Sequence, residues 1–178
     1  AAAQAAEDSV RGAETSVRGL VRVSAPVTFS QMFLAAAIAA FQRENPEVEV
    51  QLVANDRFVD AVAGEFDLVI RVTRLDDGAF VARKLADDRL VVAGSPSYLD
   101  GKGRPTRPED LVHHNCLHYS LVDAAAEWKF RGDDRRPVSV GRGSLSTNDG
   151  TVLREAMLAG LGLAVIPYFM VARDVTAG

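Results

Sequence analysis

Cysteine and tryptophan each occur once in this 178-residue chain, and histidine three times. A single thiol excludes an internal disulfide and fits a reducing compartment, so a cytoplasmic location is expected. No apolar run approaches the roughly 20 residues that a membrane-spanning helix needs; the longest extends only from Met32 to Phe41. No charged n-region leads into an apolar segment, and a membrane is not an expected partner. Net basic charge is also lacking. Twenty Lys and Arg against twenty-four Asp and Glu leave −4, which offers no electrostatic footprint for a phosphate backbone. There is no Gly-x-Ser-x-Gly elbow, and Gly141-Arg142-Gly143-Ser144 lacks the lysine, spacing and strand-to-helix setting of a phosphate-cradling loop. Without a complete catalytic constellation the chain is expected to be a binder rather than an enzyme, with no cofactor, no metal and no catalytic residue.

What is present is an α/β pattern long enough to build a sizeable core. The first eighteen residues are alanine-rich, with Ala3, Ala6, Val10, Ala13, Val17 and Leu20 spaced by threes and fours. That stripe fits a helix packing on a partner helix, while Gly12 and Gly19 fit a frayed tail, and both readings stand. Leu20 to Ser24 suits a buried strand that Pro26 prevents from continuing. Thr28 or Ser30 is the expected cap of a helix with Phe33, Leu34, Ala37, Ile38 and Phe41 on its packed side, stopped by Asn45-Pro46. Val48, Val50, Leu52 and Ala54 alternate with polar residues as a half-buried strand, completing a βαβ unit. A short helix at 59–63, ended by Gly64, leads to Asp67 to Ile70 as a central parallel strand. Ligands of such sheets bind at the carboxyl ends of the strands, beside free helix N–H groups. Ser24 to Thr28, Asn55-Asp56 and Ile70-Arg71 therefore surround one mouth.

Beyond the turn at 76–78, strands are expected at 81–85, 89–93, 117–121, 128–130, 138–140, 144–146 and 163–166. Helices are expected after Ser95-Pro96 and over 149–159, the latter ended by Gly160 and Gly162. Asn148-Asp149 caps that helix and can also reach a ligand. Arg71 ends an apolar strand where a ligand would sit, and its guanidinium can grip a carboxylate in bidentate fashion; a structural pair with Asp76 or Asp77 is the alternative. On an extended strand His114, Cys116 and His118 share one face and make a minor zinc candidate. The same residues carry a further alternative, a zinc- or cysteine-dependent enzyme. The pairs Asp87-Asp88 and Asp133-Asp134 flank arginines and are expected as solvated turns.

Several phrases in this order carry a family likeness. They are Gly19 to Pro26, Phe41-Gln42-Arg43-Glu44-Asn45-Pro46, Phe66 to Arg71, Ala93-Gly94-Ser95-Pro96-Ser97-Tyr98-Leu99, Glu109-Asp110-Leu111 through Cys116-Leu117, and Ala159 to Pro167. From about Gly19 onward the chain resembles the effector-binding (substrate-binding) domain of LysR-type bacterial transcription regulators. The resemblance implies two Rossmann-like lobes with an interlobe cleft, of the type II periplasmic-binding-protein kind. Lobe I would be 19–91 plus 167–178 and lobe II 92–166, with the end of lobe I missing and residues 1–18 the remnant of a linker helix. It implies a small-molecule effector lined by Ser24, Ala25, Pro26, Thr28, Asn55, Ile70, Arg71, Ser95, Tyr119, Asn148, Asp149 and Pro167. It further implies a homodimer or homotetramer, and DNA binding only through a winged helix-turn-helix domain absent from this chain. Thr73 stands where the pattern often has glycine. An extracytoplasmic solute-binding protein of similar architecture is the alternative binder.

Overall fold

The computed structural model describes residues 17–57, 65–73, 81–122, 127–130, 137–140 and 143–177. The helix expected at 59–63, the turn at 76–78, the Asp133-Asp134 pair and nearly all of the 1–18 segment lie outside them. The chain divides into two compact units, Ala1–Arg71 and Val72–Gly178.

In the first unit, β1 (Gly19–Ala25) runs parallel to β2 (Val48–Ala54) over its whole length, with Gly19 opposite Val48 and Ala25 opposite Ala54. On its other side β1 pairs in parallel with the short β3 (Leu68–Val69), giving the order β2-β1-β3. β1 is therefore the central strand and β3 an edge among the described residues, the reverse of the sequence expectation for β3. An apolar run marks a strand as suited to burial but does not specify its neighbours.

The connection between β1 and β2 is one helical stretch, α1, made of Val27–Phe29, a π segment Ser30–Leu34 and Ala35–Glu44. Neither Thr28 nor Ser30 caps it. Pro26 holds the extended N-cap conformation, and Ser30 Oγ donates to Pro26 O. The π segment inserts an extra residue into the turn, rotating the rest of the helix by about 100° relative to an uninterrupted one. The expected packed stripe is consequently only partly inward: Phe33 and Phe41 are exposed while Leu34 and Ile38 are half-buried. Asn45 ends the helix as expected, its backbone N–H and Nδ2 both donating to Phe41 O.

The second unit is built on the mixed sheet β4-β9-β5-β8, comprising β4 (Leu90–Ala93), β5 (Cys116–Tyr119), β8 (Ser146–Thr147) and β9 (Leu163–Pro167). β9 is antiparallel to β4 and parallel to β5, which in turn is parallel to β8. A separate two-stranded ladder joins β6 (Glu127–Lys129) to β7 (Pro137–Ser139). The strand expected at 81–85 does not form; residues 81–89 are exposed and carry no ladder among the described residues. Alternating apolarity alone does not make a strand where no partner satisfies its backbone.

Among the described residues the α-helices of this unit are α2 (Pro96–Lys102), α3 (Gly150–Leu158) and α4 (Tyr168–Ala177). Leu111, Leu117, Leu153, Met157, Leu163 and Ile166 are fully buried between these elements. α3 ends in a Schellman arrangement, with Leu161 N–H to Ala156 O, Gly160 N–H to Met157 O, and Gly160 at φ 84°. Gly143 and Gly162 approach the 115–116 backbone so closely that a Cβ would stand 1.7 Å from Cys116 O or 2.1 Å from Asn115 O. Asn115 fastens the same place, its Nδ2 donating to Ser144 Oγ and Leu161 O while Oδ1 accepts Ser144 N–H. Arg154 ties α3 to α4 through Met170 O and Asp174.

Candidate functional site

In a parallel sheet all strands end on one side, so the backbone groups beyond them are free to position side chains there. At that end of the first unit Ile70 N–H donates to Ser24 O and Asn55 N–H to Ala25 O, drawing the residues after β3 and β2 against the end of β1. Ser24, Ala25, Thr28 and Ser30 are buried, and Pro26, Asn55, Asp56, Ile70 and Arg71 are half-buried. The seven first-unit residues expected at the site are thus carried on three neighbouring strand ends and the start of α1.

Arg71 is held from two sides. Its Nη2 donates to Ser24 Oγ at 2.8 Å and its Nη1 to Ile70 O at 2.8 Å. Partial burial lowers its pKa, and the negative charge of Asp56 acts in the opposite direction. The guanidinium stays charged, because its delocalised cation is effectively always protonated in proteins. Arg71 makes no ion pair among the described residues, and Asp76 and Asp77 lie outside them. Asn55 Oδ1 accepts Arg57 N–H in a local turn just beyond β2.

Asp56 is the residue that sequence reasoning placed at the mouth but did not select. Its Oδ1 accepts the first amide of α1, Val27 N–H, at 2.9 Å. It thereby performs the capping that Thr28 and Ser30 were expected to perform, from 29 residues away. A local pattern search finds caps adjacent to the helix, so no signal short of the βαβ topology points to Asp56.

The second-unit candidates have separate settings. Ser95 is buried and caps α2, its Oγ accepting Tyr98 N–H and lying 3.1 Å from Ser97 Oγ. Asp149 caps α3 through Thr151 N–H and Val152 N–H, as expected. Asn148 is exposed, Tyr119 is half-buried at the end of β5, and Pro167 closes β9 opposite Leu90.

The zinc reading loses its geometry. His114 lies before β5, at the end of a 3-10 turn over Pro108–His113, with Nδ1 3.3 Å from Tyr98 Oη. Cys116 is fully buried, and that burial pushes its thiol up to about 11, while its Sγ contacts Leu111 O. His118 is buried against the Trp128 ring. No group of three metal-ligating side chains converges among the described residues. An open depression on α4, lined by Ala172, Arg173, Thr176 and Ala177, gathers no comparable set of polar groups.

The two units belong to the type II periplasmic-binding-like α/β class, the fold of LysR regulatory domains. The family described as LysR substrate binding domain matches residues 14–178, and the chain belongs to it. Among relatives, the chain is 31% identical over 169 residues to the HTH-type transcriptional regulator PtxR of Pseudomonas aeruginosa, covering 95% of this chain and 54% of the relative. It is 33% identical over 163 residues to the HTH-type transcriptional activator AaeR of Escherichia coli, covering 90% of this chain and 52% of the relative. The solved structure of CrgA, a LysR-type transcriptional regulator from Neisseria meningitidis, superposes with a TM-score of 0.81 at 26% identity, covering 98% of this chain and 59% of that one. The chain spans about half the length of these curated relatives. The chain is thus a LysR substrate-binding domain, and its curated relatives are transcription regulators. Among the described residues no helix is long and apolar enough to cross a membrane.

Proposed function

We propose that this domain binds a small organic effector at the carboxyl ends of β1, β2 and β3 and thereby sets the state of a longer cytoplasmic regulator. The observation that carries the reading is the Arg71 guanidinium, fixed by the buried Ser24 hydroxyl beside the start of α1. Ser24, Ala25, Pro26, Thr28, Asn55 and Ile70 form the surroundings of that charge. Ser95 and Asp149 have capping roles within the second unit.

In this reading the effector prefers one arrangement of the domain, and that difference in affinity is all that regulation requires. DNA would be held by a winged helix-turn-helix domain preceding this one, in a homodimer or homotetramer. The exposed Phe33 and Phe41 on α1 favour self-association. No covalent step is needed.

A thermal-shift screen of the 178-residue chain against small organic acids, aromatics and lactones, with zinc as a parallel arm, tests the proposal, because a ligand that binds the folded state raises Tm by mass action. A saturable shift by an organic compound, lost in Arg71→Ala, is expected. A shift by zinc alone, lost in Cys116→Ser, would replace this reading with the metal-site alternative.

A further inference from the structure

Two opposite charges flank the end of β1. Arg71 follows β3 and Asp56 follows β2, the strands that pair with β1 on its two sides. The backbone bonds from Ile70 to Ser24 and from Asn55 to Ala25 fix both positions at that end. Between them α1 begins, and its first amide already donates to Asp56 Oδ1.

Both charges are only partly satisfied. Of its five N–H donors, Arg71 commits one to Ser24 Oγ and one to Ile70 O, and the others meet no acceptor among the described residues. Asp56 accepts Val27 N–H through Oδ1, and its Oδ2 has no partner among those residues. The two side chains form no ion pair with each other, although the negative charge of Asp56 acts on Arg71.

This arrangement discriminates among ligand charges. A simple anion is attracted by Arg71 but not by the first amide of α1, because Asp56 occupies it; Asp56 also repels the incoming charge. A simple cation meets the reverse problem. A molecule bearing both charges meets donors on one side and an acceptor on the other that have no partner among the described residues, with no net charge added to a half-buried site. We infer that the first-unit site selects a zwitterion of the α-amino-acid class, its carboxylate on Arg71 and its ammonium on Asp56. Ser24 acts as a positioning residue for Arg71, and Asp56 sets the charge class. The inference rests on the effector-binding reading above.

The test compares three matched probe sets on the 178-residue chain by thermal shift and titration calorimetry: common α-amino acids, the corresponding acids lacking the amino group, and the corresponding amino-acid amides. This comparison needs no variant. Two variants sharpen it, Arg71→Gln and Asp56→Asn, the second of which keeps an oxygen to accept Val27 N–H. At least one amino acid is expected to bind saturably, at least tenfold tighter than its acid or amide counterpart. Asp56→Asn should weaken that amino acid at least tenfold while tightening its acid counterpart, and Arg71→Gln should weaken both. If acids lacking the amino group bind the unaltered chain as tightly as the amino acids, the zwitterion assignment is overturned and the effector-binding reading survives. No saturable binding by any of these probes, together with no shift in the broader organic screen, would overturn both.

Discussion

Among the described residues the second unit buries many large apolar side chains, among them Leu111, Leu117, Met157, Leu163 and Ile166, with Ser95 and His118 as its buried polar residues, whereas the first buries only Val23, Ala25 and Val48 beside the hydroxyl residues Ser24, Thr28 and Ser30. Apolar burial stabilises at roughly 25 cal/mol per Å², while a buried hydroxyl costs free energy unless it is hydrogen-bonded. The second unit is therefore organised around packing. The first has a higher share of polar burial, with hydrogen-bonded hydroxyls where its strands end, and there Ser24 Oγ accepts from the Arg71 guanidinium. The two units share parallel strands and capped helices, so the contrast lies in what each places at its strand ends.

The largest effect that would test this comparison is expected in the second unit. Leu163→Ala removes a side chain that is 1% exposed in the centre of the sheet, and should cost roughly 2–5 kcal/mol of unfolding free energy, measured by urea denaturation. A loss below about 1 kcal/mol would mean that this core is not tightly packed. Asn115→Ala should follow at about 1 kcal/mol, because it removes the side-chain partner of Ser144 N–H and Leu161 O where water can take its place.

The first unit should respond in ligand affinity instead. Arg71→Ala and Thr28→Val are each expected to weaken effector binding about tenfold, equivalent to about 1.4 kcal/mol. Their effect on stability should stay within about 1 kcal/mol. Unchanged affinity in both would remove these residues from the site, and a stability loss matching that of Leu163→Ala would erase the distinction between the units.

The smallest effect concerns Cys116. Its thiol is raised from 9.0 to about 11 by burial, so the folded state binds the proton more tightly than the unfolded state. Stability from this source is complete below pH 9 and declines as pH rises towards 11. Native protein at about pH 8, below both values, should accordingly react slowly with a thiol reagent, and Cys116→Ala should flatten the alkaline limb of the stability profile. Fast labelling of the native chain would show that the thiol is accessible after all.

Much of this was legible in the residues. Pro26 and the Asn45-Pro46 pair bounded α1, the Ser95-Pro96 and Asp149 caps announced two helices, and Gly160 marked the end of α3, because each acts through contacts within a few residues of itself. The family likeness, carried by ordered phrases from Gly19 to Pro167, is matched by the substrate-binding family over residues 14–178. Less legible were the rotation of α1 by its π segment, the edge position of β3 and the missing strand at 81–85. Each depends on a partner far away in the chain. Cys116 and its neighbouring histidines looked like ligands because strand alternation was read without their partners: His114 meets Tyr98 Oη, Cys116 Sγ meets Leu111 O, and His118 packs on Trp128.

The sequence by itself determined the α/β class, the order of most elements, the local caps and the family, since periodicity, turn chemistry and motif order are properties of neighbouring residues. Only the tertiary structure decided that Asp56 caps α1 across 29 residues, that the buried Ser24 holds Arg71 across 47, and that these opposite charges stand on either side of one strand end. Those relations arise from parallel pairing, which brings separate strand ends together at positions that no local pattern encodes.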